Sequence, residues 1–310
     1  MQAVSKLKRL AKQYNKEIKV GHFGTLDPFA RGLMVVSFGS CARLADYFHA
    51  DYPKTYRGIG LLGEQTDTAD CEGVVIRKEA TPEVSERELK DILQKKAEAF
   101  FLKQEYWQVP PSFSAVKING RPSYELARQG IKVTKPAVLR QIFSFEVLNV
   151  FLDPIDSRFR IEFEAKVSSG TYVRTLFEDL CALIGNTGHL IFLERSEMGP
   201  FSLQSKRILT DELLEKEEIV DFSSLINSPY WHEMVEVMPH WPTVELEALE
   251  ESRYLQGREI IFDKKIKFSS GEIWVKNTLG ETLGVGMITR QEEAVFLRPK
   301  INLPIKLNGP

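Results

Sequence analysis

The chain has 310 residues, 43% of them hydrophobic and 27% charged, with a net charge of −2. This is the ordinary composition of one large or two medium globular domains with a full core. No apolar run is long enough to span a membrane, the basic start "MQAVSKLKRLAK" lacks the apolar stretch of a secretory signal, and the near-neutral total announces no polyanion partner.

The charge is nevertheless uneven. Residues 1–20 carry six basic side chains (Lys6, Lys8, Arg9, Lys12, Lys16, Lys19) against Glu17 alone, and residues 101–140 carry seven against two acids. Such local patches can serve as an electrostatic footprint for nucleic acid, or as a plain solvated basic face. Cys41, Cys71 and Cys181 are odd in number and in no metal-ligand spacing. They read as reduced thiols of a cytoplasmic protein.

In chain order, Val4, Leu7, Leu10, Ala11 and Tyr14 recur at helical spacing with lysines between them, which predicts an amphipathic helix with a basic outer face. "GHFGTLDPFARGLM" follows, a loop with Asp27 before Pro28. Asp-Pro can mark a turn, or Asp27 can be a reactive carboxylate at a sheet edge. Residues 33–38 read as one short strand, and Ser40 as the cap of a helix through about residue 48. Residues 55–62 read as a strand, "GEQTDTADCEG" as a polar loop, "VVIRK" as a strand and 85–100 as a helix.

Residues 104–136 are irregular and rich in Pro, Ser, Gly and basic residues; strands follow near 138–151 and 158–167, and a helix begins after Thr171. Helices and strands interleave without a regular βαβ repeat, so the expected class is α+β. Near residue 238 the texture changes to short strand-like pieces at 259–262, 266–268, 273–275, 281–287 and 294–298, punctuated by Gly and Asn. The expected domains are 1–237, with an insertion at about 104–136, and a small β-rich domain at 238–310.

His-Glu-x-x-His, Cys-x-x-Cys, Walker, Gly-x-Gly-x-x-Gly and Gly-x-Ser-x-Gly patterns are absent, and Asp67, Asp70 and Glu72 do not have the spacing of a calcium loop. No metal or cofactor is expected. Three features remain. Asp27 is the first. In "KTYRGIGLLG", Tyr56, Gly58 and Gly60 share one strand face; the glycines either leave space for a flat ligand on the Tyr56 ring or mark tight packing. In "GTYVRTLFEDLCALIG", Thr171 is a plausible cap, Val173 to Ile184 form an apolar stripe, and Arg174 lies in the first turn. A cation there opposes the helix dipole. A carboxylate partner would compensate, and Arg174 would in turn lower that partner's pKa.

Together these stretches resemble the TruB family of tRNA pseudouridine synthases. "GHFGTLDPFARGLM" looks like that family's catalytic motif, with Asp27 at the nucleophile position. "KTYRG" looks like the motif whose tyrosine, here Tyr56, stacks on the target base. "GTYVRTL" places Arg174 where the family pairs an arginine with the catalytic Asp. "PPSFSAVKINGRPSYELARQG" resembles the RNA-gripping thumb, with Lys117 within it, and "HLIFLERSEMGPF" carries over Leu193 as an apolar wall. His22 falls where it could contact RNA.

The resemblance implies a pseudouridine-synthase core with a mixed, mostly antiparallel sheet and a thumb insertion, followed by a small PUA-like domain. It implies an isomerase acting on uridine 55 in the T-arm of tRNA without a cofactor, and a monomer is expected. Attack of Asp27 at C1′ and removal of a sugar proton are both open. The family usually opens with a strand and a Lys-Pro-x-Gly segment, and this chain begins inside that region. Either its start lies further upstream or the strand is dispensed with. A tRNA-binding or folding module without catalysis, and a guide-RNA-dependent relative acting on ribosomal RNA, are the alternatives.

Overall fold

Alternation of buried and exposed positions along Arg158–Val167 is the pattern of a strand with one covered face, and this strand sits inside the main sheet. The sheet runs in the order Ile142–Asp153, Arg158–Val167, Lys54–Leu62, Gly188–Met198, Phe201–Ser202, with Arg31–Gly32 joining the fourth strand in parallel. The other pairings are antiparallel. The computed structural model describes the chain apart from residues 1, 112, 115–116, 119, 124, 126–128, 130–134, 216–218, 263–269, 292–293 and 304–310 and the side chains of 2, 117–118, 121–122 and 215. The strand expected at 266–268 lies outside the described residues, as does much of the 104–136 insertion.

Two compact units emerge. One comprises Thr25–Met34 and His49–Gln204; the other comprises Met1–Gly24, Val35–Phe48 and Ser205–Pro310. The first unit holds the main sheet. Its covered face is built on three parallel rings: Phe145 and Phe163 stack at 5.2 Å, and Phe163 and Phe177 at 5.7 Å. Helix Glu86–Ala97 buries Leu89, Leu93 and Ala97, and Ser85 starts it with a full capping box to Glu88. Helix Val173–Ala182 buries Val173, Leu176, Phe177, Leu180 and Cys181, the predicted stripe except for Ile184, which lies beyond the helix end and is half-buried.

In the second unit, helix Gln2–Tyr14 buries Leu7, Leu10 and Ala11 in a cluster with Ile18, Leu214, Ile219, Phe222 and Leu225. Lys8, Arg9 and Lys12 are exposed, as the periodicity predicts, while Lys6 is half-buried and donates to the Leu214 carbonyl; Lys16, exposed, lies in the turn after the helix. A five-stranded sheet runs in the order Thr243–Leu246, Gly271–Asn277, Thr282–Gln291, Ala294–Asn302, Ile260–Phe262. Fully buried Trp274 anchors it through a 3.0 Å bond from Nε1 to the Met238 carbonyl.

Three local expectations fail for identifiable reasons. Residues 33–38 are not one strand: Arg31–Gly32 and Val36–Phe38 are separate. Gly32 adopts φ +108° with its Cα against the Arg195 backbone, where a Cβ would lie 2.4 Å from the carbonyl oxygen, and the Leu33 N–H donates to that carbonyl at 2.9 Å. Docking onto Arg195 breaks the strand. Ser40 does not cap an α-helix, because a 3-10 turn, Gly39–Leu44, precedes Ala45–Asp51. The cap of the helix carrying Arg174 is Tyr172, one residue later than Thr171, and no side chain of the cap residue closes it.

Candidate active site

Asp27 stands at the first position of a turn. The Ala30 N–H donates to the Asp27 carbonyl at 3.0 Å, and Pro28 occupies the second position, where its fixed φ suits the turn. The two readings of Asp-Pro are therefore compatible: the turn presents the carboxylate. A third of the Asp27 side chain remains accessible, at 34%.

Arg174 meets Asp27 with two nitrogens. Its Nη2 donates to Oδ1 at 3.0 Å, and its Nε lies 2.8 Å from Oδ2. The guanidinium is buried and otherwise held from three directions. Nη1 donates to the Thr68 carbonyl at 2.7 Å and to Asp70 Oδ2 at 3.3 Å, and Nη2 also donates to the Phe113 carbonyl at 3.1 Å. A cation at a helix start is costly; two carboxylates and two carbonyls compensate it. The fork is pre-organised for such two-point contact.

Asp70 is the site residue that the sequence reading misses. It lies in "DTADCEG", read only as a polar loop, yet it is 4% exposed. Thr68 Oγ1 donates to its Oδ1 at 2.6 Å and the Glu72 N–H at 3.1 Å. The loop is pinned to the sheet where Asp70 bridges Leu190, and its flanks pair as Glu64–Thr66 with Val75–Lys78. A signal was present: a buried arginine needs more than one counter-charge, and this stretch carries the acids.

Burial raises the pKa of Asp27 above its ordinary value, Arg174 pulls it back by charge and hydrogen bond, and Asp70 adds a smaller upward push. The arginine acts in the expected direction, but loss of water outweighs it, so the expected net lowering does not occur.

Tyr56, Leu193 and Arg195 share the covered sheet face. Tyr56 is directly opposite Arg195, and Gly58 opposite Leu193. Tyr56 is half-buried. Burial raises its phenol pKa, while Arg195, which is hydrogen-bonded to it, lowers it, and Asp27 is close enough to raise it a little. Leu193 is 4% exposed. The glycines do not open a ligand slot. A Cβ on Gly58 would lie 2.5 Å from the Phe163 ring, and one on Gly60 2.0 Å from the Phe177 ring, so packing fills that space. Fully buried Arg195 donates from Nε to the Leu33 carbonyl at 2.7 Å. Burial and the Arg195 charge bring Lys54, at the start of Tyr56's strand, down to about 8.

The structure thus brings together Asp27, Arg174, Tyr56 and Leu193 in one unit. His22 is exposed at the end of strand Val20–His22 in the other unit. Lys117 lies in strand Lys117–Ile118, and its side chain is outside the described residues. Among the described residues, no group of three or more His, Cys, Asp or Glu could hold a metal, and no helix is long and apolar enough to cross a membrane.

Residues 8–173 match the family model described as TruB family pseudouridylate synthase (N terminal domain), a stretch that contains Asp27, Tyr56 and Asp70. The chain is 34% identical over 257 residues to tRNA pseudouridine synthase B of Chromohalobacter salexigens, covering 83% of this chain and 77% of that one. It is 37% identical over 241 residues to the enzyme of the same name from Aromatoleum aromaticum, covering 77% and 71%. It is 29% identical over 282 residues to that of Caldanaerobacter subterraneus, covering 91% and 88%. Among solved structures, a Cbf5-Nop10-Gar1 complex contains a chain similar in fold, with a TM-score of 0.61 and 19% identity over 97% of this chain and 80% of that one.

Proposed function

The chain belongs to the TruB family of pseudouridylate synthases, and we propose that, within that family's formation of pseudouridine in tRNA, it acts on uridine 55 of the T-arm with Asp27 as the reacting carboxylate. The observation that carries this reading is the two-nitrogen contact of Arg174 on Asp27, with Tyr56 close by.

The reaction is an isomerisation. The bond from uracil N1 to ribose C1′ breaks and a bond from C5 to C1′ forms, so no redox partner or energy source is needed. It requires an ionised carboxylate beside the ribose and a site that keeps water from the detached base. Arg174 favours the ionised form of Asp27 and fixes both its oxygens. Tyr56 offers a ring on which a flipped-out base can stack, and Leu193 an apolar wall. Flipping the base costs a few kcal/mol. Phosphate contacts offset it, and the exposed Lys8, Arg9 and Lys12 of helix Gln2–Tyr14 and Lys16 in the turn after it, together with His22 and Lys117, are the proposed donors. The 104–136 insertion acts as the thumb and 238–310 as a PUA-like RNA-binding domain. The enzyme works as a cytoplasmic monomer.

Chemical mapping of pseudouridine in a tRNA transcript after incubation with the chain tests the reading. A single new pseudouridine at position 55, formed also on an isolated T-arm hairpin, supports it. Modification elsewhere in the tRNA, or activity only with a guide RNA, overturns the choice of site.

A further inference from the structure

Gln108 closes strand Tyr106–Gln108 and is 1% exposed. Its amide grips the peptide of one residue from both sides: Oε1 accepts the Tyr172 N–H at 2.8 Å, and Nε2 donates to the Tyr172 carbonyl at 3.0 Å. Nε2 also donates to the Tyr106 hydroxyl at 2.9 Å, and that hydroxyl donates to Asp179 Oδ2 at 2.6 Å. Tyr172 is the cap of helix Val173–Ala182, whose cap residue supplies no capping side chain, and Asp179 lies two turns further along the same helix. The strand therefore holds the helix at two points. Arg174 lies between them, and Phe113, five residues beyond Gln108, accepts from its Nη2.

We propose that Gln108 is a positioning residue for the reaction: through the Tyr172 peptide it fixes the start of the helix so that Arg174 meets Asp27 with two nitrogens. Only a primary amide supplies a donor and an acceptor on one rigid group for the N–H and C=O of a single residue. Methionine fills a similar length with neither, and asparagine is one carbon short. The site makes no other use of Gln108, so its burial and complete pairing need this account. A displacement of about 1 Å in Arg174 would break a two-nitrogen contact, and misplacements of that size slow reactions by up to about 100-fold. The inference rests on Asp27 and Arg174 being the reacting pair.

The test is Gln108→Met, read by single-turnover tritium release from tRNA labelled at uridine C5, across pH. The groups facing Asp27 are Arg174 from its helix, Asp70 from its loop and Tyr56 from its strand. Of these Arg174 lowers the Asp27 pKa, so loosening it moves the acid limb of the rate to higher pH. The expected result is a rate at least about tenfold lower, tRNA affinity within about threefold, and an acid limb displaced upward. In an Arg174→Ala background, Gln108→Met should change the rate by less than about twofold, because the two then act as one unit. An acid limb at the wild-type pH, or the full loss repeated in that background, overturns the proposal. Should Gln108→Met not fold, Tyr106→Phe decides by the same readouts: it keeps the ring against Phe100 and Phe101 and removes the hydroxyl that holds both the Gln108 amide and Asp179. If Asp27→Asn retains turnover, the reading of the site fails instead. If Asp27→Asn is inactive and the acid limb of Gln108→Met is unmoved, only the role of Gln108 fails.

Discussion

Arg174 lies 147 residues from Asp27 in the chain, and its guanidinium contacts both carboxylate oxygens, at 3.0 and 2.8 Å. Two anions share this one arginine, since Asp70 Oδ2 accepts from Nη1 at 3.3 Å. The arrangement divides labour. Asp70 is buried and bonded to Thr68 and the Glu72 N–H, whereas Asp27 keeps a third of its surface open. One carboxylate holds the cation, and the other keeps an open face where the proposed reaction needs it.

Asp70→Asn preserves shape and removes the holding charge. Turnover is expected to fall about tenfold or more, on the scale of one hydrogen bond to a charged group, with tRNA affinity within about threefold. Asp70 also raises the Asp27 pKa, so the acid limb of the rate should move to lower pH while the plateau falls. Single-turnover rates across pH check both; an unchanged plateau would remove Asp70 from the site.

The pH dependence of the wild type follows from the Asp27 shift, which is upward from 3.8. With Asp27 proposed to react as the anion, activity should disappear on acidification at a pH above the ordinary aspartate value, and Arg174→Ala should push that limb higher still. Stability has its own sign. Between 3.8 and its folded-state value, Asp27 holds a proton in the folded chain that the unfolded chain has released. Its contribution favours folding below 3.8 and is lost as pH rises through the folded-state pKa. Urea midpoints measured across this window should show a smaller decline with pH in Asp27→Asn.

Tyr56→Ala should slow single turnover by about 10- to 100-fold, the range of one base-stacking contact of about 1–3 kcal/mol. Tyr56→Phe, which keeps the ring and loses only the hydroxyl bonded to Arg195, should lose less than Tyr56→Ala, because the stacking face is kept. Tyr56 also packs against the main core, so urea denaturation must accompany the kinetics. A rate loss fully matched by a stability loss would identify Tyr56 as packing alone.

The exposed cations of helix Gln2–Tyr14 and of the turn after it can be tested without touching the core. Replacing Lys8, Arg9, Lys12 and Lys16 with alanine should weaken tRNA binding and flatten its salt dependence, by about 0.7–0.9 in slope for each phosphate no longer neutralised. The rate at saturating tRNA should stay the same. An unchanged salt slope would show a solvated face with no RNA on it.

How much of this was legible in the sequence depends on how far each relationship reaches along the chain. Asp27, Tyr56 and Arg174 stand out locally, as a carboxylate before Pro, an aromatic beside strand glycines and a cation at a helix start, but the roles expected of them come from the resemblance to the TruB family. The stripe from Val173 to Cys181 was legible from its period alone. Asp70 was not singled out, because its importance comes from Arg174, 104 residues away, whose Nη1 donates to its Oδ2. The glycines of Lys54–Leu62 were ambiguous for the same reason. Phe163 and Phe177, distant in sequence, occupy the space they leave. The break after Gly32 depends on the Arg195 backbone, which no window around residue 32 contains. The direction of the Asp27 shift required burial to be weighed against Arg174, and burial cannot be read from residue type.

The central claim, that Asp27 is the reacting carboxylate of a tRNA pseudouridine synthase, is tested most directly by tritium release from a tRNA transcript labelled at uridine C5, using this chain and its Asp27→Asn variant. The account predicts stoichiometric release from the T-arm by the wild type, none by Asp27→Asn, and tRNA binding by the variant within a few fold of wild type. Release by Asp27→Asn at a comparable rate would contradict it.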